Sequence, residues 1–202
     1  VNRDVVVWDV ATHPPTLAPF DITGLVDAGW DRADAIEFVT EIHDYLLQAV
    51  TSDYRVTTTP DTIAGGTPQP DCREQFQAAL RNAAPQTDYS TIVTQLNDDW
   101  TRRVLSHYMS PHLDTDVSPA TAKTAYHHAS DLHNALDVFR SDPESDPDPV
   151  AADFLTACPN AILCLDVSGF DSTTDQRLAT ILLLRTLAYS IACTDSTELP
   201  PV

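Results

Sequence analysis

Residues 161–170 read AILCLDVSGF, and this stretch decides how the chain is read. The run Ala161–Val167 is almost continuously apolar and of strand length, and Ser168-Gly169 then turns the chain. Such a pattern predicts a central strand buried on both faces, as in parallel sheets. A second β-branched run, Val5–Trp8, ends at Asp9 and reads the same way. Downstream, Leu178, Ile181, Leu182, Leu183, Leu184, Leu187 and Ile191 occupy most of the circumference of a helix from about Thr174 to Cys193, which must therefore be covered on more than one side. Its apolar run is shorter than about 18 residues and is broken by Arg185, so it does not read as a membrane span. The expected class is α/β: mostly helical, with two or more short buried parallel strands, about 4–9 and 161–167, and a helical insertion between them.

The insertion is legible from its periodicity. Ile36, Val39, Ile42, Leu46, Leu47 and Val50 keep helical spacing over Ala33–Val50, with Asp31 as N-cap. Thr51–Pro70, with Gly65-Gly66 and three prolines, reads as a loop. Asp71 and Glu74 then have capping-box spacing ahead of a short helix with Phe76, Ala79 and Leu80 on its apolar face. A longer helix spans about Ser90 to Met109 on the recurrence of Ile92, Val93, Leu96, Trp100, Val104 and Tyr108, and Ser110-Pro111 stops it. Ser118-Pro119 opens the next, lined by Ala122, Ala125, Tyr126, Ala129, Leu132, Leu136 and Phe139 and running to about Arg140. The domain scheme is accordingly 1–30 as strand and apolar loop of the core, 31–140 as helical insertion, 141–149 (SDPESDPDP) as acidic Pro-rich linker, and 150–202 as strand and buried helix.

Charge is the other strong signal. The 30 acidic residues against 11 basic ones give a formal charge of -19, and all but five of the acids are Asp while all but Lys123 of the bases are Arg. Self-repulsion on that scale weakens a compact state in dilute buffer and is screened at molar salt, where the Debye length is about 3 Å. The bias of Asp over Glu and Arg over Lys resembles proteins of extreme halophiles such as haloarchaea. An apolar fraction of 43% fits a folded chain and excludes general disorder. No basic segment followed by an apolar one opens the sequence, which places it by expectation in the cytoplasm. Cys72, Cys158, Cys164 and Cys193 have no CxxC spacing and read as buried free thiols.

Two short strings resemble the HerA–FtsK superfamily of P-loop ATPases, the DNA-pumping and conjugative-transfer or type IV secretion enzymes. Leu17–Ile22 (LAPFDI) is similar to the NPFDI-like stretch after an early strand of that family, with Ala18 in place of Asn. Leu163–Phe170 (LCLDVSGF) is similar to the strand and turn preceding the family's Walker B strand, and ELPPV at the end of the sequence to the lead-in to that strand. The resemblance implies an internal segment of a larger ATPase, with Walker A before Val1 and Walker B after Val202, copies arranged in a ring, and ATP, Mg and DNA handled by the rest of the protein. No GxxxxGK[ST] occurs, so this chain alone is not expected to be catalytic or to hold a cofactor. The other reading, from a different class, is a self-contained, non-catalytic helical interaction protein of a halophile, acting through a helix face.

Candidate site residues are few. Asp166 closes the apolar strand, where sheet enzymes place working groups, or else caps the Ser168-Gly169 turn. Arg185 is a lone charge on an apolar helix, to be met by an intramolecular partner or to reach a neighbouring subunit's nucleotide. His107, His112, His127, His128 and His133 cluster, and His127 with Asp131 has a one-turn spacing that can place two metal ligands together. Adjacent His127 and His128 nevertheless point about 100° apart on a helix, which favours packing or surface histidines. Arg102-Arg103 is too small a basic pair for direct binding of nucleic acid.

Overall fold

The computed structural model describes residues 5–9, 20–51, 72–109, 118–137 and 162–193. Six helices make up most of these: α1 (Ile22–Asp27), α2 (Arg32–Val50), α3 (Cys72–Asn82), α4 (Tyr89–Met109), α5 (Pro119–Asp137) and α6 (Thr173–Cys193). Two five-residue strands, β1 (Val5–Asp9) and β2 (Ile162–Asp166), pair in parallel with Val5 opposite Ile162 and Asp9 opposite Asp166.

The expectation of an α/β fold built on buried parallel strands is overturned. The described residues are mostly helical, and among them the β1–β2 pair is a two-stranded ribbon rather than a layer. Val5, Val7 and Ile162 are 59, 66 and 45% exposed, so this face of the ribbon is not sandwiched by helices as a parallel sheet must be. The physical reason is that a short apolar run announces only that it is apolar. Periodicity cannot tell which side of it will be covered.

Capping explains where the helices begin. The Asp31 carboxylate accepts from Ala33 N at 2.8 Å, Asp88 from Thr91 N at 2.6 Å, and Ser118 Oγ from Thr121 N at 3.1 Å. Each satisfies an amide that the first helical turn leaves without a backbone acceptor. Asp71 of the expected capping box lies outside the described residues, as do the Pro-rich stretch 13–19, the 141–149 linker and the tail beyond 193.

Helix α1 arises where an apolar loop was expected. Asp21 caps it through Gly24 N at 2.8 Å, and it ends in a Schellman turn: Trp30 N donates to Leu25 O, Gly29 N donates to Val26 O, and Gly29 takes φ +94°. Phe20, just before it, is fully buried at φ +39°. Its ring meets those of Tyr89 and Tyr189 edge-on at 5.7 and 5.5 Å, contacts that hold a left-handed backbone unfavourable for a bulky residue.

Helix α2 is the axis of the molecule. It packs against α1, α3, α5 and α6, while α4 lies along α5. The main core joins Phe20, Leu25, Ile42, Leu46, Leu47, Phe76, Leu80, Tyr89, Ile92, Leu132, Leu136 and Leu182. A smaller cluster of Trp100, Ala122 and Ala125 fastens α4 to α5, with Val104 and Tyr126 packed on it.

Candidate functional site

The two residues singled out from sequence are held by different neighbours. Asp166 Oδ1 accepts from Ser168 Oγ at 2.6 Å and from Ser168 N at 3.0 Å, closing a turn. These bonds hold its carboxyl below the ordinary value. Arg185 lays its guanidinium over the Tyr45 ring, 3.7 Å from the centroid, so α6 is tied to α2 by a cation–π contact. The structure does not bring Asp166 and Arg185 to a common partner.

The histidine cluster also separates. His127 is exposed and His128 buried, as their angular offset requires, His107 and His133 are half-buried, and His112 lies outside the described residues. Among the described residues no group of three His, Cys, Asp or Glu is placed to hold a metal ion. Cys164 is exposed and Cys193 half-buried, both as free thiols, so the expectation of buried cysteines fails at Cys164.

The sequence pattern does not announce the buried polar centre. His43 stacks on Phe76 with ring centroids 3.8 Å apart, and its Nδ1 lies 3.0 Å from the Tyr89 hydroxyl. Burial lowers its pKa from 6.5 to about 3, so the ring is neutral near pH 7. One turn of helix surface away, Arg73 of α3 bridges the carboxylates of Asp44 and Glu37 on α2. A cavity of about 20 Å³, room for one water, lies among His43, Leu47, Gln75, Trp100, His128 and Leu132. The signal that could have found His43 is its place on the inward stripe of α2, between Val39 and Leu46.

A different surface has the character of a contact site. On the last two turns of α4, Leu105, Tyr108 and Met109 are 52, 75 and 83% exposed at three- and four-residue spacing. Earlier on the same helix the Trp100 cluster fastens α4 to α5, and Arg103 sits over Trp100 at 4.9 Å. Arg102 pairs with Asp99 on the exposed side. A groove of about 390 Å³ between α3 and α4 runs past Ala79, Ala83, Leu96 and Arg103.

Known proteins give no further guidance. The chain matches no family model, no curated protein and no solved structure. No helix among the described residues is long and apolar enough to cross a membrane.

Proposed function

We propose that this chain is a non-catalytic helical interaction protein that binds a protein partner through the exposed end of α4 and needs no cofactor. The observation that carries the reading is the group Leu105, Tyr108 and Met109, left exposed on the last two turns of a helix that the Trp100 cluster fastens to α5, although the apolar recurrence predicts Tyr108 on the covered stripe. Large apolar side chains standing together in water lower solubility, and such patches mark sites that a partner covers. A rigid backing lowers the ordering cost of binding. The test places a photocrosslinking phenylalanine analogue at Tyr108 and, as control, at the exposed Arg81 on α3, in cells expressing the chain. Crosslinks specific to position 108 are expected, and equal yields at both positions overturn the reading.

The resemblance to the HerA–FtsK ATPases supports a second reading, carried by Leu17–Ile22 and Leu163–Phe170. There the chain is a segment of a ring-forming DNA pump whose ATP, Mg and DNA are held by its other parts. It receives less support, because the described residues are mostly helical and Arg185 is engaged by Tyr45. The coding sequence on either side tests it: an upstream GxxxxGK[ST] and a downstream strand ending in Asp-Glu are required.

A further inference from the structure

We draw no further inference here: the strongest candidate, the groove of about 390 Å³ between α3 and α4 that runs past Ala79, Ala83 and Leu96, carries both signs of charge on its wall through Asp99 and Arg103, and nothing in the structure shows what covers it.

Discussion

His43 and Phe76 lie face to face, their centroids 3.8 Å apart and their planes within 1° of parallel, which places an ionisable ring in the middle of the α2–α3 interface. The stack is stable only while the imidazole is neutral, because protonation would bury a cation among aromatic rings. Folding lowers the pKa of His43 from 6.5 to about 3. The unfolded chain therefore binds the proton first, and stability falls as pH drops from about 6.5 toward 3. At pH 5 the expected loss is about 2 kcal/mol. Urea denaturation in molar KCl at pH 7.5 and pH 5 should show it, and His43→Phe should flatten the slope. An equal slope in the variant would assign the pH dependence to other groups.

Arg73 offers a contrast between its two partners. Asp44 is buried, whereas the Glu37 side chain is half exposed. Removing the guanidinium by Arg73→Ala deprives a buried carboxylate of its counter-ion, with an expected cost of about 3 kcal/mol. Glu37→Gln removes only the exposed pairing and should cost under about 1 kcal/mol. Denaturant midpoints of the two variants should differ clearly, and near-equal losses would show that the buried pairing adds nothing over the exposed one.

Gly24 of α1 lies against Tyr189 and Cys193 of α6. A Cβ there would come within 2.7 Å of the Tyr189 hydroxyl, which donates to Asp21 at 3.0 Å, and within 3.3 Å of Cys193 Sγ. Gly24→Ala must push the phenol off Asp21 and is expected to cost about 1–2 kcal/mol. In the Gly24→Ala background, Tyr189→Phe should then cost less than it does alone, since the hydroxyl it removes is already displaced. Simple additivity in that double-mutant cycle would contradict the contact.

These contacts show what the sequence could and could not reveal. The start of α2 is legible because Asp31 followed by a 3.6-residue apolar rhythm is a local signal with a local cause. Helix α1 is hidden because it is six residues long, contains Gly24, and owes its ends to Asp21 and Gly29 rather than to a periodic face. The strand class fails for a related reason: AILCLDV specifies apolarity, but what covers it depends on residues far away in the chain. The Asp166 turn is one of two readings available from Ser168-Gly169, and the geometry favours it. His43 escapes notice because a single histidine on an apolar stripe looks like a packing residue, and only the placement of Phe76 and Tyr89 from two other helices makes it distinctive.

Charge sets the salt dependence of the fold under either functional reading. With 30 acids and only 11 bases, dilution from molar KCl to about 10 mM lengthens the Debye screen from about 3 Å to about 30 Å, and repulsion then acts across the whole molecule. Net folding stability is typically about 5–15 kcal/mol, so tertiary structure should be lost at pH 7 in low salt. Lowering the pH toward 4 at the same low salt protonates carboxylates and relieves the repulsion, while the His43 linkage acts in the opposite direction, so the recovery should be partial. His43→Phe, free of that opposing effect, should recover more fully than the unaltered chain. Near-UV circular dichroism over a KCl series at pH 7 and pH 4 reads both effects. An unchanged native spectrum in 10 mM salt at pH 7 would show that the acidic surface does not limit stability.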